Sequence, residues 1–450
     1  MKGHIGRASA YLSGEGLGPF LLRSVAGTGT VQISSLAAGF LVGVLLARGL
    51  GVGGFGYYAI AQSVITLAGI PSEMGVTRLV TREVAASMVH KDYPRFYGIL
   101  RWADGLALGI SALMLVGIVV AGTVIAEVRP SPLALALIVG APIVPLMALG
   151  RIRGGALQGL HFIVRGQVPA NLLRPVTQCM LLIGIYLLGL GLDPAGAMAL
   201  NAAAAGLAFL VARHWLLQRR PPRTGAAPVR EGRQWLASSV PMALTQGMLV
   251  LQFELSVLLV GFMVAPAEAG LFRVAGACTT AASAASPIVI HVAFPVFARL
   301  FAEKDWSRLQ KSVTFFACIQ FGGMLLLAAP LLIVPKLLLG LAFGGGFAAA
   351  ATPLRLLLVG QIFNAAFGPN VVLLNMTRHE RRVTRAMAIA LALNLVAVPA
   401  LTLRFGVAGA AVGLAASTFC WNVIVWADAR RLLGIETNAV GGIAKWRRVA

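Results

Sequence analysis

The sequence predicts an all-α polytopic membrane protein: twelve transmembrane helices in two six-helix bundles, related by a pseudo-two-fold axis along the membrane normal. Three observations carry this expectation. The chain of 450 residues is 58% hydrophobic and only 12% charged, against about 25% charged in soluble domains. Its basic residues gather on alternate sides of successive apolar runs. And the chain is written twice.

The duplication is read from landmarks. Gly56-Tyr57-Tyr58-Ala59 returns as Gly270-Leu271-Phe272-Arg273, 214 residues on. Lys91-Asp92-Tyr93-Pro94-Arg95-Phe96 returns as Lys304-Asp305-Trp306-Ser307-Arg308-Leu309, 213 residues on. Ala195-Gly196-Ala197 returns as Ala408-Gly409-Ala410, and Gln32 finds a counterpart in Gln246. A hydrophobic chain repeated at half its length is the signature of a transporter built from two related bundles with a site between them. The expected division is 1–232 and 233–450.

Twelve runs have the length to cross a ~30 Å hydrocarbon core: Phe20–Ala47, Phe55–Gly75, Ile99–Ile125, Pro132–Gly150, Val168–Gly191, Ala195–Leu217, Leu236–Met263, Gly270–Pro295, Val313–Lys336, Pro353–Met376, Val383–Leu403 and Val407–Ala427. The first has no short apolar segment followed by a small-residue cleavage site, so it is expected to stay as an uncleaved anchor. Cys179, Cys278, Cys318 and Cys420 all fall inside runs and read as small core residues rather than ligands or disulfides.

Net charge is +22, which raises the question of nucleic acid. Position answers it. All Lys and Arg residues but six lie in the two tails, in the Arg-Pro-rich linker Gln218–Gln234, or in the loops after even-numbered runs together with the run ends that flank them; the exceptions are Arg48, Arg129, Arg273, Lys336, Arg355 and Arg404. This is the positive-inside pattern. It places both termini in the cytoplasm and makes the charge a signal of topology and of membrane lipids, with no nucleic acid as partner. Six runs per copy is an even number, so both copies enter and leave on one side. The repeats are then parallel, about an axis along the normal.

The stretch Arg78–Phe96 is expected to connect runs two and three, its apolar positions at helical spacing fitting a helix on the inner membrane surface or an ordinary cytoplasmic one. Pro71 and Pro287 fall near matching points of runs two and eight, where they would bend the helix. No phosphate loop, paired-carboxylate site, metal cluster or nucleophile motif occurs. No enzymatic reaction, cofactor or metal is therefore expected.

Polar residues inside runs are the candidate site, because a charge at the centre of a span costs roughly 2.5–3.5 kcal/mol. Glu254 in run seven and Arg273 near the start of run eight fall at similar depth on neighbouring antiparallel helices. Two readings stand: a salt bridge, or a cavity-lining pair in which Arg273 meets an anion and Glu254 holds it or carries a proton. Phe40 and Ala59 occupy the matching positions of the first copy, so the pair is asymmetric. Gln32 and Gln246 are expected either to line the shared cavity or to bond between helices. Glu73 reads as paired at the interface.

The turn Leu46-Ala47-Arg48-Gly49-Leu50-Gly51-Val52-Gly53-Gly54-Phe55-Gly56-Tyr57-Tyr58-Ala59, with Gly75-Val76-Thr77-Arg78-Leu79-Val80-Thr81-Arg82-Glu83 beyond it, resembles bacterial oligosaccharide flippases. These form the polysaccharide-transporter branch of the multidrug/oligosaccharidyl-lipid/polysaccharide exporter superfamily. The resemblance covers essentially the whole chain. It implies a monomer in the bacterial cytoplasmic (inner) membrane that turns a polyprenyl-diphosphate-linked oligosaccharide from the cytoplasmic to the outer leaflet for surface polysaccharide biosynthesis, in association with a polymerase and glycosyltransferases. A pyrophosphate head group needs cations, and the resemblance points to Arg273 with the inner-mouth residues Arg23 and Arg78. The competing reading is a multidrug-type cation antiporter of the same superfamily. It needs acids deep in the first bundle, where Asp104 and Asp193 lie near span ends.

Overall fold

The computed structural model describes residues 17–73, 75–128, 130–222, 227–229, 231–439 and 441–442, with side chains from residue 27 onward except 240–246. All regular structure among them is helical. Among the described residues nine helices are long and apolar enough to cross a membrane, and two of these are far too long for one crossing. Helix α1 runs Leu17–Glu73 and turns at Gly51 (φ 65°, ψ −178°). The last long helix, Glu380–Leu433, turns at Gly406 (φ 58°, ψ −141°). Nothing lies within 4 Å of where a Cβ would sit at either glycine. The requirement there is for positive φ, which glycine adopts without steric cost.

After α1 come α2 (Val76–Val89), α3 (Tyr93–Val128), α4 (Pro132–Gly140), α5 (Ile143–Gly159), α6 (Ile163–Val168), a π-turn Pro169–Leu173, α7 (Arg174–Leu187) and α8 (Pro194–Arg219). The second copy holds α9 (Gly232–Met263), α10 (Pro266–Ala282), α11 (Ala285–Ala302), α12 (Trp306–Ile333), α13 (Pro335–Phe343), a 3-10 turn Gly345–Ala350, α14 (Ala351–Ala366), α15 (Asn370–Met376) and α16 (Glu380–Leu433). Proline opens α4, α8, α10 and α13, where its missing N–H leaves no helical bond unmade. Asp193 and Asp305 cap α8 and α12, accepting from Gly196 N and Arg308 N.

Four expectations are corrected. Arg78–Phe96 is not a surface connection: α2 continues the path of α1 to Val89 and buries Val76, Leu79, Val80 and Val84, leaving a turn at His90–Asp92. The break falls at Gly75, which is left-handed at φ 69°. Run eight is also broken, between Ala282 and Ala285, four residues after Cys278 and just before Pro287. Run ten ends at Ala366 and resumes at Asn370 beyond Gly368 (φ 67°). Arg151 and Arg153 lie on α5, and Arg174 opens α7; the loop expected after run four shrinks to Leu160–Phe162. All four cysteines are free.

The repeat is visible in the backbone as well as the letters. Lys91 and Lys304 both adopt φ 56°, His161 and Arg378 adopt 67° and 64°, and Gly189 and Gly406 adopt 66° and 58°. These are turns at matching places, held left-handed despite side chains at four of the six.

The core divides by depth. Toward the ends away from the basic loops it is one body, joining Phe55, Ile60 and Leu137 of the first copy to Val257, Phe272, Phe343 and Leu358 of the second. Toward the basic ends it splits. One cluster holds Leu79, Phe96, Ile152 and Trp235; the other holds Phe297, Leu309, Val383 and Val425.

Candidate functional site

Where the copies meet, they meet through their duplicated landmark. A Cβ on Gly56 would stand 1.9 Å from Pro266 O, and one on Gly270 would stand 3.0 Å from Val52 O and 3.0 Å from Gly56 N. Val52 and Pro266 are themselves 214 apart, as are Gly56 and Gly270. Residue i of one copy thus touches j of the other while j touches i, which is what a two-fold contact requires. Neither position admits a side chain, because the obstacle is backbone on both sides.

Rings surround this contact. Phe40 packs edge-on against Phe343 with centroids 5.5 Å apart, and Phe55 against Phe347 at 5.9 Å. Arg48, one of the few cations at this end, donates Nε to Ala342 O at 2.8 Å and also bonds Leu341 O. It reaches the carbonyl end of α13, where a cation is favoured.

Deeper lies the charged pair. Arg273 Nη1 is 2.5 Å from Glu254 Oε2, so the structure brings together the two residues singled out in the sequence. A third residue joins them. Ser63, on α1 beyond the Gly51 turn, donates Oγ to the same Glu254 oxygen at 2.6 Å and lies 3.3 Å from Arg273 Nη1. Ser63 is fully buried, Glu254 is 7% exposed, and the Arg273 side chain keeps 23% exposure. Arg273 also lies 5.7 Å from the Phe253 ring centre. Glu254 stands nine residues from the end of α9 and Arg273 seven from the start of α10, roughly 10 to 14 Å below their shared turn. The pair is a bond within the second copy and, through Ser63, a tie to the first.

A second polar network belongs to the first copy alone. Arg174 donates Nη2 to Asn201 Oδ1 at 2.8 Å, Asn201 Nδ2 donates to Gln62 Oε1 at 2.8 Å, and Gln62 Nε2 donates to Thr66 Oγ1 at 3.0 Å. The π-turn before α7 sets the aim of Arg174. Such a turn inserts an extra residue and rotates the helix beyond it. The second copy has a neutral counterpart. Asn422 Nδ2 donates to Asn364 Oδ1 at 3.0 Å and Asn370 Nδ2 donates to Asn422 Oδ1 at 3.2 Å.

The other expected site residues stand apart. Gln32 is half-buried on α1 with no side-chain hydrogen bond to a described residue. Arg78 is exposed on α2, about 22 Å along the chain from Ser63, without an ion pair among the described residues. The side chains of Arg23 and Gln246 lie outside the described residues, though both positions are helical. Glu73 pairs with Arg151 of α5, not with Arg78. Ser63 was missed, as was the Arg174 network. Their signal was present: Tyr58, Gln62 and Thr66 recur at intervals of four, which places them on one helical face, and Ser63 sits beside that face.

The described residues hold no group of three or more His, Cys, Asp or Glu able to bind a metal ion. What the arrangement offers is a partly exposed guanidinium, anchored by a buried carboxylate at the interface between the copies. A guanidinium presents a fork of donors suited to carboxylate or phosphate oxygens.

Comparison now places the chain. Residues 21–301 match the family model described as "Polysaccharide biosynthesis protein". The chain belongs to this family. No curated protein sequence matches the chain. Among solved structures it is similar to a multidrug resistance MATE family transporter of the MOP superfamily in an inward-facing conformation, at TM-score 0.74 and 14% identity over 90% of this chain and 98% of that one. An outward-facing structure so described gives 0.61 and 15% over 92% and 95%. Lipid II flippase MurJ, in an inward closed conformation, gives 0.68 and 11% over 93% and 91%. At these identities the likeness is one of fold, and the fold is that of MATE and MurJ. The chain is a multi-pass membrane protein.

Proposed function

We propose that this family member is a flippase. It carries a polyprenyl-diphosphate-linked oligosaccharide from the cytoplasmic to the outer leaflet by alternating access, for surface polysaccharide biosynthesis. One observation supports this above the rest: within a polysaccharide biosynthesis family, the core is single at one end and falls into two clusters at the basic end, where Trp235 at the start of α9 is the buried second-half residue in the first-half cluster. A molecule built so can open between its halves toward the basic side.

In this reading α1 and α16 each count as two spans, divided at Gly51 and Gly406. Helices α9, and α10 with α11, supply spans seven and eight. That makes twelve, in bundles 1–232 and 233–450 about the axis through Gly56 and Gly270. The positive-inside rule turns the basic end and both termini toward the cytoplasm. Both copies break their second span, α1/α2 and α10/α11, a few residues out of register, and broken helices are where such repeats bind substrate. Arg273 faces the head group, Glu254 holds it in place, and the polyprenyl tail remains in lipid. The protein works as a monomer beside the polymerase and glycosyltransferases that make and use the glycan.

The fold likeness to multidrug transporters favours a second reading, a cation antiporter. The first half offers it little: Glu73 and Asp104 are each engaged by an arginine, Arg151 and Arg153. The two readings separate in a deletion strain whose polyprenyl-linked lipids are analysed by mass spectrometry. Flippase function predicts accumulation of a complete, unexported lipid-linked oligosaccharide. Unchanged pools together with raised drug sensitivity would establish the antiporter instead.

A further inference from the structure

A second anion site lies away from the interface, at the basic end of the first half. A cavity of about 590 Å³ opens between the start of α3, the middle of α5, the end of α8 and the linker that leaves α8. Four arginines line it: Arg101, Arg153, Arg213 and Arg220. The single acid in its wall, Asp104, is engaged by Arg153. Arg101, Arg213 and Arg220 have no carboxylate within salt-bridge distance among the described residues. Three uncompensated cations around one cavity repel one another, and an anion between them removes that repulsion.

The linker forms part of the wall and is pinned at both ends. Tyr97 Oη donates to Pro221 O at 2.5 Å, and Val229 N donates to Pro94 O at 3.2 Å. Gly98 allows the approach, since a Cβ there would stand 2.3 Å from Val229 O. The described linker ends are therefore held against α3 by the fold.

We infer that this cavity binds the phosphate of an anionic membrane lipid and couples that lipid to the linker joining the two halves. Arginine forks match phosphate oxygens in pairs, and the volume falls in the range of small-ligand sites. A lipid fits better than a soluble anion because one side of the site is greasy. Leu100 and Leu217 stand beside the arginines, and Leu217 is 43% exposed. Basic pockets between helix ends on this side of a membrane suit such headgroups. The inference does not depend on what the protein transports.

The test uses the full-length protein in a neutral detergent, with thermal melting read during titration with phosphatidylglycerol, phosphatidylcholine or inorganic phosphate. Phosphatidylglycerol should raise the melting temperature saturably, and phosphatidylcholine should not. The variant R101Q/R213Q/R220Q should require about a hundredfold more phosphatidylglycerol, from three arginines at about fivefold each. A control of equal charge loss on the second half, R381Q/R385Q/K311Q, should titrate as the wild type. If the triple variant does not yield folded protein, R213Q alone, on an exposed surface of α8, should still shift the midpoint about fivefold. Three results would overturn the inference: a triple variant responding like wild type, a control equally impaired, or inorganic phosphate saturating the effect by itself.

Discussion

The two ends of this molecule are built on opposite principles. Away from the basic loops, backbone meets backbone at Gly56 and Gly270, rings interlock across the halves, and one core spans both. At the basic end the core splits into two clusters, the first-half one of which takes in Trp235 of α9, and the linker before α9 is tied to the first half. The first end has no room for a change of shape that leaves its contacts in place. The second end has little to lose from one. A rocking motion about the Ser63–Glu254–Arg273 tie would have to dismantle the first end and close the second, since packed interfaces switch between discrete arrangements and do not stretch.

The contrast can be broken at graded cost. Removing the buried counter-charge should cost most. Glu254→Ala leaves Arg273 without its carboxylate, and loss of one partner of a buried pair costs about 3–5 kcal/mol; thermal melting in detergent reads it. Pairing it with Arg273→Gln should recover most of the loss, and surface glycan then reports on role. A stable, silent double variant assigns the pair to transport, and a stable, active one assigns it to structure. Next is the seal. Gly56→Ala forces a methyl against Pro266 O and should cost about 1–3 kcal/mol. Gly69→Ala, on the same helix but with nothing within 4 Å, should be neutral or slightly stabilising; equal losses at both glycines would remove the claim that the contact is special. Smallest is Ser63→Ala, which takes one hydrogen bond from Glu254 and should cost about 1 kcal/mol.

The duplication and the all-helical membrane class were legible because both rest on patterns spread over hundreds of residues. The Glu254–Arg273 contact was legible because charge in an apolar run must find a partner. Ser63 was not, since a serine in lipid bonds its own helix backbone as readily as another residue. The helix breaks were misplaced for a related reason. Run eight is apolar straight through Ser283 and Ala284, so hydropathy sees no interruption, and α2 carries enough charge at Arg78, Arg82 and Glu83 to look like a surface segment. There Glu83 is buried against Arg95, a contact twelve residues apart that no local pattern announces. The contact of Gly56 with Gly270 could be drawn from the repeat only in hindsight: equal landmarks must lie at equal distances from a two-fold axis, but nothing in the letters said that distance was near zero.

The most direct test joins the two copies across the sealed end. In a background with Cys179, Cys278, Cys318 and Cys420 replaced by alanine, Val52→Cys and Gly346→Cys should form a disulfide, since a Cβ on Gly346 would lie 2.8 Å from Val52 Cγ2. The account predicts that oxidised cells stop exporting surface glycan while lipid-linked precursor accumulates, and that a reductant restores export. Full export with the cross-link quantitatively formed would contradict it, because this end must then carry substrate without opening.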